Sequence, residues 1–302
     1  MIWIIIIILI TVIGLNYISE YAFKEVTLSE RKDKAKMFEV IKETNGYREE
    51  EYDKLGFEKL CIKSKDEKSL IGYYLNRHKE SKKLIIIIHG YTANHFRSAQ
   101  YIDFFTKEGF NILLIDVRSH GDSEGIYATY GFKEEKDLQI WIEFMKNKLG
   151  NDCIIGLHGH SMGAATVANY SNKCNETVKF IIAEAPYSSG RKIIKHQFKM
   201  AKAPFFLLYP CVNFKIKKRC EFSLEDVNPI NSVKESTIPI MFIHGDEDRT
   251  IPYKMSMDMY IAKKQGIKEL YIVSGANHLN SYGKDVELYE EKIKYFLKRV
   301  FK

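Results

Sequence analysis

Apolar positions fall along this chain in three patterns. From Met1 to Leu15 they are nearly continuous, with an unbroken isoleucine run from Ile4 to Ile8, and they thin out through Tyr17, Ile18, Tyr21 and Phe23. Extending the run to Phe23 brings it to the ~20 residues that cross a hydrocarbon core of ~30 Å, so residues 1–23 are expected to form a single membrane anchor. The rival reading, a cleaved secretory signal, would want a basic stretch before the run and an Ala-x-Ala-like site after it, and neither is present. Residues 24–56 form a helical spacer, with Ala35, Phe38, Val40 and Ile41 set among charges; this predicts a surface helix over Leu28 to Thr44.

The second pattern is alternation. Phe57 to Lys63 and Ser69 to Asn76 switch between apolar and polar positions, as antiparallel edge strands do. The third is a set of short apolar blocks bounded by turn residues: Leu84 to Ile88, Ile112 to Ile115, Cys153 to Leu157, Phe180 to Ala183, Ile238 to Ile243 and Glu269 to Val273. Strands buried on both faces have this composition. Helix-length segments lie between them, at Phe96 to Glu108, Lys133 to Lys148, Ser161 to Asn172, Lys254 to Lys264 and Asp285 to Lys298. The alternation predicts one α/β domain over residues 57–302, with a mostly parallel, doubly wound sheet and antiparallel N-terminal strands. Ligands of such sheets bind outside the carboxyl ends of the strands, so chemistry is sought just after each apolar block.

Gly159-His160-Ser161-Met162-Gly163 stands at such a place. Glycines two residues either side of Ser161 remove the Cβ atoms that would collide as a strand folds back against a helix, so the serine can hold a strained turn with its hydroxyl projecting. A hydroxyl needs a base to attack at neutral pH. His278 follows the last apolar block, and Asp248 follows the one before it, within His244-Gly245-Asp246-Glu247-Asp248. His278 would take the serine proton and return one to the leaving group, and Asp248 would fix its tautomer. Asp246, Glu247 or, more remotely, Glu184 could replace Asp248 as the acid. The backbone N–H groups of Met162 and Tyr91, the latter in His89-Gly90-Tyr91, are placed to hold an oxyanion. His158 and His160 flank the serine without a His-Glu-x-x-His pattern or a cysteine pair, so no metal is expected.

Together with Asp116-Val117-Arg118-Ser119-His120-Gly121-Asp122-Ser123, these motifs make the region from about Phe57 onward resemble the α/β-hydrolase superfamily, in particular bacterial serine hydrolases related to acyl esterases and serine aminopeptidases. The chain order serine, acid, histidine is that of this superfamily. The resemblance implies acyl transfer to water without a cofactor: a carboxylesterase-like or lipase-like enzyme acting on a small acyl substrate, lipid-like esters among the candidates. Peptide or amide cleavage and acyl transfer on the same residues remain alternatives, as does a hydrolase fold kept as a non-catalytic binding protein. It also implies a small helical cap inserted at about residues 187–235.

Charge sharpens the picture of that insertion. The chain's formal net charge is +7, yet nine basic residues and no acidic one lie between Gly190 and Cys220, so the remainder is slightly acidic. Lys192, Lys195, Lys199 and Lys202 recur at helical spacing, opposite Ile194, Phe198 and Ala201, and Pro204 is expected to stop that helix. Phe205, Phe206 and Leu207 would then line the pocket mouth. The basic face is read as a membrane-facing surface, as a solvated lid or as a surface for an anionic soluble substrate; with no recognition fold around it, nucleic acid is not an expected partner. Lys24, Arg31, Lys32, Lys34 and Lys36 follow the anchor and no basic residue precedes it, which favours a cytoplasmic catalytic domain. Five cysteines, an odd and scattered set, argue against a disulfide framework; only Cys211 and Cys220 are close enough in sequence to suggest a bridge, and two free thiols are favoured.

Overall fold

The β-branched blocks assemble into a single sheet in the computed structural model, which describes residues 1–42 and 49–302. Its strands are β1 (Glu58–Lys63), β2 (Ser69–Leu75), β3 (Lys83–Ile88), β4 (Asn111–Ile115), β5 (Ile154–His160), β6 (Val178–Glu184), β7 (Ile240–Gly245) and β8 (Lys268–Val273). They lie in the order β1-β2-β4-β3-β5-β6-β7-β8. The pairs β1 with β2 and β2 with β4 are antiparallel, and every other pair is parallel. Ile85 to Ile88 of β3 are fully buried, whereas β1 buries only alternate residues, as its edge position requires.

Helices cover both faces: α1 (Ile2–Thr27), α2 (Lys34–Lys42), α3 (Glu49–Asp53), α4 (Ile102–Lys107), α5 (Glu134–Leu149), α6 (Met162–Tyr170), α7 (Gly190–Met200), α8 (Phe205–Cys220), α9 (Pro229–Glu235), α10 (Lys254–Ala262), α11 (Ser281–Lys284) and α12 (Val286–Val300). One core joins α5, α6, α7, α8 and the end of α1 to the sheet, through residues such as Trp141, Ala164, Ile193, Val212 and Phe23. The other holds Phe38 of α2, Phe105 of α4 and Phe296 of α12 against the opposite face. Between β6 and β7 the chain inserts α7, α8 and α9.

Several boundaries differ from the sequence reading. The helix expected over Leu28 to Thr44 begins only at Lys34, because the Asp33 carboxylate accepts the Lys36 N–H at 2.9 Å and caps it there; residues 43 and 44 lie outside the described residues. The segment expected as a helix from Phe96 opens with a 3-10 stretch over His95–Tyr101, where the His95 N–H and Nδ1 both meet Asp116 Oδ1, at 2.8 and 2.9 Å. Strand β5 continues three residues past Leu157, since β6 pairs His158 to His160 and β3 pairs His158 and Gly159 on the other side. Helix α1 runs to Thr27, four residues past Phe23, and Ser19, Phe23, Val26 and Thr27 are buried against the domain.

Candidate active site

Strand β5 ends at His160 and α6 begins at Met162, so Ser161 alone makes the turn and takes φ +57°. Two glycines permit this close packing. A Cβ at Gly163 would fall 2.1 Å from the Ile88 carbonyl oxygen, and one at Gly159 would fall 2.2 Å from the Gly163 oxygen. The Ser161 N–H donates to the Glu184 carbonyl at 2.8 Å, which ties the turn to the end of β6. Ser161 is 9% exposed, so its neighbours enclose most of it.

The loops after β7 and β8 bring the other two residues to it. His278 Nε2 lies 3.0 Å from Ser161 Oγ, and its Nδ1 lies 2.6 Å from Asp248 Oδ2. With the Nδ1 proton donated to the carboxylate, Nε2 presents a lone pair to the serine hydroxyl. Burial of Asp248 opposes its ionisation, but hydrogen bonds from His244 and His278, the His278 charge and the Ile251 N–H outweigh that, and the carboxyl is held well below the usual range. Asp248 Oδ1 accepts the Thr250 and Ile251 N–H groups at 2.8 Å each. His244 Nε2 faces two acceptors, Asp248 Oδ2 at 3.1 Å and the Ile251 carbonyl at 2.9 Å, so it carries the proton, and Nδ1 accepts from Ser256 at 2.7 Å. Asp246 instead accepts the Gly275 N–H at 2.7 Å and joins the two loops, while Glu247 is exposed.

The turn after β3 supplies the facing wall. A Cβ at Gly90 would stand 2.8 Å from Ser161 Cβ, which is how near this backbone comes to the serine. His89 anchors the turn: its Nδ1 donates to the Gly90 carbonyl at 2.8 Å and its Nε2 accepts the Val117 N–H at 3.0 Å. Burial, reinforced by neighbouring His120, pushes His89 down to about 3, so it stays neutral. Met162 opens α6, where its N–H has no partner within the helix. The Tyr91 side chain reaches away from the serine, and its hydroxyl meets the carbonyl oxygens of Glu25 and Leu28 at 3.1 and 2.8 Å.

Beneath the serine lies a buried polar group that sequence reasoning weighed only as a substitute acid. Burial raises the Glu184 carboxyl, and its Oε2 accepts the hydroxyls of Tyr101 and Tyr289 at 2.7 Å each. His158, 3.9 Å from that oxygen, has no hydrogen-bond partner at either ring nitrogen and is pushed by burial down to about 3. Glu184 therefore stands behind the turn, away from the position Asp248 takes beside His278. Among the described residues no group of three or more His, Cys, Asp or Glu side chains is placed to hold a metal ion.

The insertion departs from its expected layout. Helix α7 ends at Met200, so Lys192, Lys195 and Lys199 share a helical face but Lys202 lies past the end with φ +53°. Pro204 heads α8 rather than ending α7. Within α8 the 3.6-residue period turns Leu208, Tyr209, Val212 and Ile216 inward, which leaves Phe206 81% and Leu207 43% exposed. Phe205 is half-buried, stacked on Tyr209 at 4.6 Å and edge-on to Phe198 at 5.8 Å. None of the three lines the apolar cavity beside Tyr91; Leu208, Phe198 and Ala203 do. All five cysteines are free, and Cys211 and Cys220 lie nine residues apart on α8, about 13 Å along its axis.

Comparison with known proteins places this geometry. The family model described as serine aminopeptidase, S33, matches residues 79–222. The uncharacterized protein YqkD of Bacillus subtilis (strain 168) is 33% identical over 228 residues, 75% of this chain and 74% of that protein. Lysophosphatidylserine lipase ABHD12 of Danio rerio is 21% identical over 196 residues, 62% of this chain and 49% of its own. The Pyrococcus furiosus esterase Pf2001 superposes with a TM-score of 0.69 at 25% identity, covering 90% of this chain and 98% of that one. By the sequence it shares with YqkD and by its sheet order, the chain belongs to the α/β-hydrolase superfamily.

Proposed function

We propose that the chain is a serine hydrolase that cleaves a carboxylic ester or related acyl bond, with lipid-like molecules as its substrates. The carrying observation is the continuous relay from Ser161 Oγ through His278 to Asp248, at 3.0 and 2.6 Å. In this reading His278 Nε2 removes the serine proton as Oγ bonds to the acyl carbon. The charge on the carbonyl oxygen falls toward the N–H groups of Tyr91 and Met162. The imidazolium, held by ionised Asp248, then protonates the departing alcohol, leaving the acyl group on Ser161. Water reverses the sequence: His278 takes its proton, the carboxylic acid leaves, and Oγ regains its hydrogen.

The lipid-like part of the reading is supported by α1, which is long and apolar enough to cross a membrane, and by the exposed Phe206 and Phe214 of α8. ABHD12, a relative, is described as a lysophosphatidylserine lipase, and Pf2001 as an esterase. Labelling with a fluorophosphonate tests the assignment. Wild type is expected to react and Ser161→Ala to stay unlabelled. Equal labelling of both, or none of the folded wild type, overturns it.

A further inference from the structure

Helix α1 does more than end at the domain: its last turns close a cavity of about 510 Å³ against the inserted helices. Ile18, Tyr21 and Ala22 form one side, Phe198 and Leu208 the other, and Tyr91 part of the wall. The volume lies within the ~300–1,000 Å³ typical of sites that hold small organic ligands. Tyr91 stands between this cavity and the nucleophile: its side chain lines the cavity, and a Cβ on the residue before it, Gly90, would lie 2.8 Å from Ser161 Cβ.

The wall is fixed. Glu20 pairs with Arg219 at 2.6 Å and with Lys215 at 3.0 Å, and Lys215 also donates to Asn16 at 2.8 Å. The Arg219 guanidinium lies over the Phe23 ring at 4.8 Å. Two carbonyls near the end of α1 accept the Tyr91 hydroxyl, so the helix touches the same turn that faces the serine.

Length decides what the cavity mouth would meet. At 1.5 Å per residue, residues 2–15 extend only about 21 Å, short of a hydrocarbon core of ~30 Å. For α1 to span, the level of Ile18 and Tyr21 must sit at the edge of the bilayer. There Ile18 is 50% and Tyr21 64% exposed. The opening of the cavity then faces lipid chains, not bulk water.

We infer that α1 is a structural wall of the acyl-binding site, and that the acyl chain of a single-chain ester amphiphile enters the cavity sideways from the bilayer, past Ile18 and Ala22, to place its ester at Ser161. This rests on the hydrolytic reading above. The test uses the full chain in mixed micelles, with p-nitrophenyl palmitate and acetate as probes. Ala22→Trp fills the passage and is expected to lower the ratio of palmitate to acetate turnover about tenfold or more with Ser161 still labelled by a fluorophosphonate. Ile13→Trp, at a 61% exposed position opposite Ala22 around α1 and outside the cavity lining, is the control and leaves the ratio as in wild type. An unchanged ratio in a labelled Ala22→Trp protein, or an equal drop in the control, overturns the inference. If Ala22→Trp fails to accumulate as a labelled protein, Ile18→Trp at the mouth is read by the same ratio. Absence of labelling in wild type would defeat the hydrolytic reading instead.

Discussion

A methyl group added at Gly90 would come within 2.8 Å of Ser161 Cβ and 3.3 Å of its Oγ. Gly90→Ala is therefore expected to push the serine or the facing amide out of line. A displacement near 1 Å costs on the order of 10²-fold in rate, so turnover of any ester found as a substrate should drop by about that factor with thermal stability little changed. Wild-type turnover in the variant would contradict this. At the residue scale the sequence marks Ser161, Asp248 and His278 because each follows a strand block in a recognisable setting. It suggests His244 as a loop-fixing hydrogen bonder but not its partner, because the bond to Asp248 depends on where a neighbouring carbonyl directs an imidazole proton. Nor does the sequence reveal the Tyr91 hydroxyl reaching residues 63 and 66 positions away, a pairing that only the folded chain creates.

Between elements, α6 lies close against β3. A Cβ at Gly163 would meet the Ile88 oxygen at 2.1 Å and the His89 oxygen at 2.7 Å, both backbone atoms at the carboxyl end of β3. Neither can retreat without moving a strand. Gly163→Ala is expected to cost about 3 kcal/mol or more, seen as a large fall in the thermal midpoint or in soluble yield. A midpoint equal to wild type would contradict it. Elements were legible where hydrophobicity alone sets them, as in the isoleucine-rich β3. They were less so in β5, whose last three residues include two buried histidines, His158 paired by the strands on both sides and His160 by β6. The late start of α2 is set by one capping carboxylate, Asp33, against a periodicity that extends earlier. The burial of Ser19, Phe23, Val26 and Thr27 follows helical spacing, a signal present in the sequence but masked by the apolar run before it.

For the molecule as a whole, buried imidazoles set the response to acid. His89 and His158 are lowered from 6.5 to about 3, and burial lowers His120 and His160 as well. The unfolded chain takes up these protons below about pH 6.5, while the folded chain resists until far lower. Stability from the neutral rings is thus complete above that pH and is lost as pH falls through the interval. The urea midpoint is expected to decline steadily from about pH 6.5 toward pH 4, and less steeply in His158→Leu. A flat profile there would contradict the assignment.

The ion pairs of Glu20 with Lys215 and Arg219 carry a mechanical consequence. Because they bolt the helix to the domain, α1 behaves as a mast and not as a leash. Were α1 to stand in a bilayer, the height and tilt of Ser161 would be set together with it. Such an enzyme would patrol a plane, meeting molecules that share its membrane and ignoring those dissolved a few nanometres above.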